Sequence, residues 1–359
     1  MKSLFRILVF AVAGLIVFSC NRAVKEEERQ NVILFIGDGM GLAQLCAATG
    51  SVADALNIER CPYVGLMKTQ SQDNYVTDSA AGATAFSTGH KTKNSYLAVD
   101  STGNPLKTIL EFAEDAGLST GLVVTCAVTH ATPAAFIAHQ TGRENNEAIA
   151  ADIIKTDVDV LIGGGRKYFE SRSDGQNLIS NLTSRGYTVP DSIWQIPSVL
   201  PEKLAWFRAS GHMPGALNGR GDALAESVRL ALNMLARNKK GFFLMVEGSQ
   251  IDWACHSNDS LWLVKEVLDF DKAVGEGLKF ASGHKNTTVI VLADHETGGV
   301  SLPAGDLKQH TVNIRFSSHD HTGIMVPVYA SGPGASLFTG VYDNTAIFHK
   351  MMHLLKLKE

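Results

Sequence analysis

Six short apolar runs punctuate the chain: NVILFIG from Asn31, GLVVT from Gly121, VDVLIGG from Val158, FFLMVEG from Phe242, TTVIVLAD from Thr287 and MVPVYASG from Met325. They are rich in valine and isoleucine and do not alternate with polar residues, the pattern of strands covered on both faces. Helical periodicities lie between them. PLKTILEFAEDAG begins at Pro105, and DALAESVRLALNMLARN, from Asp222, has an apolar stripe, an acidic start and a basic end. Alternation of strand and helix predicts an α/β fold, a sheet layered with helices. One domain is expected over 31–359, with Asp174 to Gly221 its least regular part.

The first residues break this pattern. Lys2 and Arg6 precede an apolar run from Ile7 to Phe18, too short for an ordinary spanning helix, and it ends Val17-Phe18-Ser19-Cys20. The expectation is a lipoprotein-type signal peptide over 1–19, a lipid anchor on Cys20 and a flexible charged tether over 20–30. A plain signal peptide with a chance cysteine is the alternative, since Phe18 departs from the usual site. Both readings export the protein, and the first makes it a membrane-anchored periplasmic lipoprotein.

Composition narrows the partners. A chain of 359 residues with 45% hydrophobic content supports a substantial core, and a formal net charge of −4 gives no reason to expect nucleic-acid binding. Cys46, Cys61, Cys126 and Cys255 show no zinc-ribbon spacing and are expected mostly as small buried residues.

The candidate chemistry sits where apolar runs end. Asp38, Glu247 and Asp294 each close or follow such a run, and in an open α/β sheet ligands bind beyond the carboxyl ends of strands. One acid there is an ordinary turn former or cap; three converging acids repel unless a cation is bound. Asp252 and His256 share a face if their segment is helical, His295 follows Asp294, and His319 and His321 lie on one side of an extended HDHTG. Mixed carboxylate–imidazole sets suit zinc and oxygen sets suit magnesium, so the pattern points to a multi-metal hydrolytic centre. In VTDSAAGATAFSTG, Thr77 or Asp78 caps a helix, and Ser79 is either part of that start or a nucleophile at it. Thr132 is expected as the N-cap before Pro133, with Arg143 about three turns along the same segment. Arg143 is a surface arginine or a planar fork for a tetrahedral oxyanion.

Taken together, GDGMG, VTDSAAGATAFSTG, THATPAAFIAH followed by GR, VDVLIGGGRKYF, VEGSQIDWACH, ADHETGG and HTG resemble the alkaline phosphatase family, in the family's order and over nearly all of the chain after Asn31. The resemblance implies a large central, mostly parallel β-sheet sandwiched between helices. It implies Asp252, His256 and His321 as ligands of a first zinc, and Asp38, Asp294 and His295 as those of a second. A third site, usually magnesium, would take Asp38, Thr132 and Glu247. Ser79 matches the nucleophile that becomes phosphoserine, and Arg143 the phosphate clamp, with Asp78 beside them. The implied activity is hydrolysis of small phosphate monoesters at alkaline pH, in a homodimer.

Two positions depart from the common pattern. His130 stands where other members carry aspartate, and Trp253 where they carry lysine or histidine. His130 is expected to tune the third metal site and loosen its preference for magnesium, and Trp253, by removing a cation, to hold phosphate less tightly and alter metal sensitivity. A sulfatase would need a Cys-or-Ser-x-Pro-x-Arg motif, and Cys61 is followed directly by Pro62. No GxxxxGK[ST] occurs, which excludes a P-loop.

Overall fold

A computed structural model describes residues 31–358. The leader, Cys20 and the tether lie outside the described residues. A ten-stranded sheet runs through the molecule, and its strands in chain order are β1 (Asn31–Gly37), β2 (Tyr63–Lys68), β3 (Ser119–Ala127), β4 (Val160–Gly164), β5 (Tyr187–Thr188), β6 (Lys203–Phe207), β7 (Phe242–Gly248) and β8 (Thr287–Leu292). Four short strands follow β8: β9 (Glu296–Thr297), β10 (Ser301–Asp306), β11 (Thr311–Arg315) and β12 (His321–Thr322). The chain then returns to the main sheet as β13 (Val326–Ser331) and β14 (Gly340–Asp343). The spatial order is β14-β2-β13-β8-β1-β7-β3-β4-β6-β5, and β13 alone runs against its neighbours.

All six apolar runs form strands of this sheet. Every residue of β1, β7 and β8 is buried, which explains their lack of alternation: helices cover both faces. The two expected helices form as Ile109–Asp115, closed by a Thr108/Glu111 capping box, and Ala223–Leu235. The segment 174–221 is more regular than expected, because it supplies β5 and β6, the far edge of the sheet. Later in that segment, the buried guanidinium of Arg220 pairs with Glu266 and, at 2.9 Å, with Asp269 on the helix Ser260–Gly283. That pairing pins an otherwise irregular loop to the body of the fold.

Register decides where the acids fall. Ile36 of β1 pairs with Glu247 of β7 on one side and with Leu292 of β8 on the other. Asp38, Glu247 and Asp294 therefore emerge side by side at the carboxyl ends of three adjacent central strands.

Candidate active site

The helix Ser79–Thr88 begins beside these acids, and all ten of its residues are buried. Its small side chains let it pack this closely: a Cβ added at Gly82 would stand 3.3 Å from the Asp294 Cβ. Asp78 is the N-cap, its Oδ1 accepting from Ala81 N at 3.0 Å. Asp78 Oδ2 also accepts from Arg143 Nη1 at 2.9 Å, so one carboxylate holds both the helix start and the guanidinium. Burial opposes the charge on Arg143, but Asp78 outweighs it and holds the guanidinium above its ordinary range. Arg143 lies in a loop rather than three turns along a helix, because the helix at Ala131–Ala134 is a single turn. The cap of that turn is His130, and Thr132 sits inside it, which corrects the expected capping role of Thr132.

Two sets of ligand-type atoms converge as the motifs implied: Asp252, His256 and His321 in one, and Asp38, Asp294 and His295 in the other. In the first, the short helix Gln250–His256 presents Asp252 and His256 on one face. The Nε2 atoms of His256 and His321 face each other at 3.2 Å and point at Asp252, at 3.2 and 3.4 Å. Their Nδ1 atoms face backbone carbonyls, His319 O for His256 and, at 2.9 Å, Thr77 O for His321. Donation to those carbonyls fixes the tautomers and leaves both Nε2 lone pairs for a cation. His319 thus serves through its carbonyl, while its ring turns away to His256 O at 2.9 Å.

In the second set, His295 Nε2 lies 3.2 Å from Asp294 and 3.4 Å from Asp38. Ser79 Oγ stands at its edge, 3.3 Å from His295 Nε2 and 3.5 Å from Asp38 Oδ1. Gly39 adopts φ +71 and a Cβ there would stand 2.9 Å from the Asp252 Cα, so glycine permits the backbone approach that joins the two sets.

Electrostatics of the site call for cations. Burial, then Asp294, Asp252 and Glu247, hold the Asp38 carboxyl well above the usual range. Burial raises Glu247 to about 7. The Asp252 hydrogen bond lifts His256 to about 9, holding on Nε2 a proton that a cation seated there would displace. Asp38 Oδ2, Asp294 Oδ2, Glu247 Oε1 and Thr132 Oγ1 are buried without a hydrogen-bond partner. Buried acceptors left this way are costly unless an ion completes them, and imidazole with carboxylate is a donor set that fits zinc. Asp38, Glu247 and Thr132 offer the all-oxygen set that magnesium prefers.

Three contributors escaped the sequence reading. Thr297 Oγ1 donates to Asp252 Oδ1 and lies 3.2 Å from His295 Nδ1, linking the two sets. Its place two residues beyond His295 is the signal that puts it on the same side of an extended chain. Cys126 Sγ approaches Glu247 Oε2 at 3.3 Å. His212, from the loop that Arg220 pins, packs edge-on against Trp253 at 4.7 Å and His130 at 5.7 Å between ring centres. Nothing local marked His212. Burial and the nearby Arg143 drive His130 down to about 3, so its ring is neutral.

Comparison with known proteins finds relatives over nearly the whole described chain. The alkaline phosphatase family model matches residues 29–311 and 303–357. Alkaline phosphatase 4 of Bacillus subtilis is 33% identical, the match covering 92% of this chain and 89% of the relative. The solved alkaline phosphatase of the Antarctic bacterium TAB5 superposes with a TM-score of 0.88 at 39% identity, over 92% of this chain and 99% of that one. A solved histidine-to-aspartate variant of the TAB5 enzyme, with magnesium bound in a metal site, superposes at 0.87 with 37% identity over the same shares. The chain belongs to the alkaline phosphatase family and is a phosphomonoesterase, a metal-binding hydrolase of phosphate esters.

Proposed function

We propose that the chain hydrolyses small phosphate monoesters at alkaline pH through a phosphoserine on Ser79, at a centre of two zinc ions and one magnesium ion. The observation that carries this reading is the position of Ser79 Oγ, buried at a helix start and 3.3 Å from His295 Nε2, with Arg143 held by the adjacent Asp78. Asp252, His256 and His321 would hold one zinc, Asp38, Asp294 and His295 the other, and Asp38, Thr132 and Glu247 the magnesium. Bound there, the metals supply Lewis-acid stabilisation of the attacking and leaving oxygens and lower the proton affinity of Ser79.

Arg143 grips two non-bridging phosphate oxygens with its planar fork and Asp78 fixes the direction of that fork. Ser79 Oγ gives up its proton to solvent and attacks phosphorus in line; the Oγ–P bond forms as the ester P–O bond breaks, and the departing alkoxide takes a proton from solvent to become the alcohol. Water next attacks the phosphoserine, the Oγ–P bond breaks, and inorganic phosphate leaves with Ser79 restored. Trp253 puts an aromatic ring where a cation would stand near this exit, which favours looser holding of phosphate. In the TAB5 enzyme a histidine-to-aspartate change accompanies bound magnesium, and we read His130 as the position that sets magnesium preference here.

The test uses purified protein from Asn21 onward on 4-nitrophenyl phosphate and its bis-ester, with wild type and Ser79→Ala, before and after chelation. Fast monoester turnover, abolished in Ser79→Ala, lost on chelation and restored by zinc with magnesium, is the expected result. Preference for the bis-ester overturns it. Export with a lipid on Cys20, and a homodimer, complete the proposal; labelled palmitate should enter wild type and not Cys20→Ser.

A further inference from the structure

Glu247 stands between two unlike sets of donors. Its Oε1 has no hydrogen-bond partner, and the nearby proposed ligands Asp38 and Thr132 likewise carry an unpartnered Oδ2 and Oγ1. Its Oε2 meets the fully buried Cys126 Sγ at 3.3 Å. One ligand atom from each of Cys126, His130 and Glu247 lies within 4.8 Å of the others, and Cys126 is the one thiol in such a group among the described residues. His130 Nδ1 is buried with no partner.

The thiol is held in place. Cys126 N donates to Ser249 Oγ at 3.1 Å and Ser249 N donates to Thr125 Oγ1 at 2.9 Å, lacing the end of β3 to the turn after β7. An ordinary buried cysteine would be satisfied by a carbonyl alone, and Ala127 O lies 3.2 Å from Sγ. That contact leaves the unpartnered His130 nitrogen unexplained, whereas a shared cation accounts for both groups.

We infer that the third metal position has a thiophilic face, formed by Cys126 with His130 and Glu247, at which a transition-metal dication such as zinc or cobalt competes with magnesium. The inference rests on the metal-dependent phosphatase reading given above. Sulfur and imidazole donors favour zinc and cobalt, while magnesium prefers oxygen donors in octahedral array. Binding forms one metal–sulfur bond and breaks the S–H bond, whose proton passes to solvent; no electrons are exchanged.

The test strips the purified full mature protein of metal and reloads it with cobalt, following metal content and the near-ultraviolet thiolate-to-cobalt charge-transfer band. The band should grow as cobalt enters the third position, recede under excess magnesium, vanish in Cys126→Ser and persist in Cys255→Ser. X-ray absorption on zinc-loaded wild type should show sulfur among the zinc ligands, a readout that needs no variant to fold. A third equivalent of cobalt bound without band or sulfur overturns the inference and leaves Cys126 as a hydrogen-bond donor to Glu247. Failure to bind a third equivalent in the absence of magnesium overturns it as well. The phosphatase reading stands or falls separately, on monoester turnover and its loss in Ser79→Ala.

Discussion

Asp78 has two duties that substitution can separate. Its Oδ1 caps the helix and its Oδ2 holds Arg143. Asp78→Ala should cost about 1 kcal/mol of stability through the lost cap and also raise KM for the monoester. Asp78→Asn should keep most of the stability while still raising KM, as thermal melts set beside steady-state kinetics will read. At Trp253, a lysine restores a cation near the product. Trp253→Lys should make inorganic phosphate a several-fold stronger competitive inhibitor, and an unchanged inhibition constant would end the argument. The residues that carry such roles were legible where chemistry is local, as at Asp252 and His256, four apart on one helix. His212 and Cys126 were not, because each meets its partner across strands or loops far apart in sequence: Cys126 touches Glu247, and His212 packs on Trp253.

Elements were readable in proportion to their burial. The central strands, buried throughout, announce themselves as unbroken apolar runs. Strand β2, YVGLMK, next to the edge strand β14, buries only Gly65 and Met67, and β14 exposes half its residues, so neither offers the same signal. At the single-turn helix Ala131–Ala134 the capping expectation fails because proline occupies its third position rather than its first. At this scale the Ser79 helix makes the sharpest prediction. Gly82→Val forces a Cβ and two methyl groups into a gap where the Cβ alone would stand 3.3 Å from the Asp294 Cβ. Overpacking of this kind costs about 1–3 kcal/mol. Here it should also weaken metal binding at the proposed Asp294 site, since Asp294 must move; competition with a chelator will measure this.

The strand order of the whole sheet was beyond the sequence, which places runs along a line and says little about neighbours. What was legible was that three acids end apolar runs; their convergence required β8, β1 and β7 to be adjacent. Stability of the whole should also depend on a group remote from the site. Burial pushes Glu114 up to about 7 from an ordinary value of 4.5. The folded protein therefore retains a proton that the unfolded chain releases, so stability declines as pH rises from about 4.5 to 7 and is level with respect to this group above that. Glu114→Gln should flatten that decline in melting temperature across the same range.

The ligand sets join positions drawn from nearly the full length of the described chain, from Asp38 to His321. Between His295 and His321 the chain makes an exposed hairpin, β10 with β11, whose two ends are brought back by those same histidines. Ions held by the proposed ligands would act as a clasp, closing a long excursion whose free ends would otherwise gain entropy by parting. Chelated protein should accordingly be nicked by proteases within 298–320 well before the core yields, and zinc should protect it. Metal supply would then govern how long each molecule survives as well as how fast it turns over.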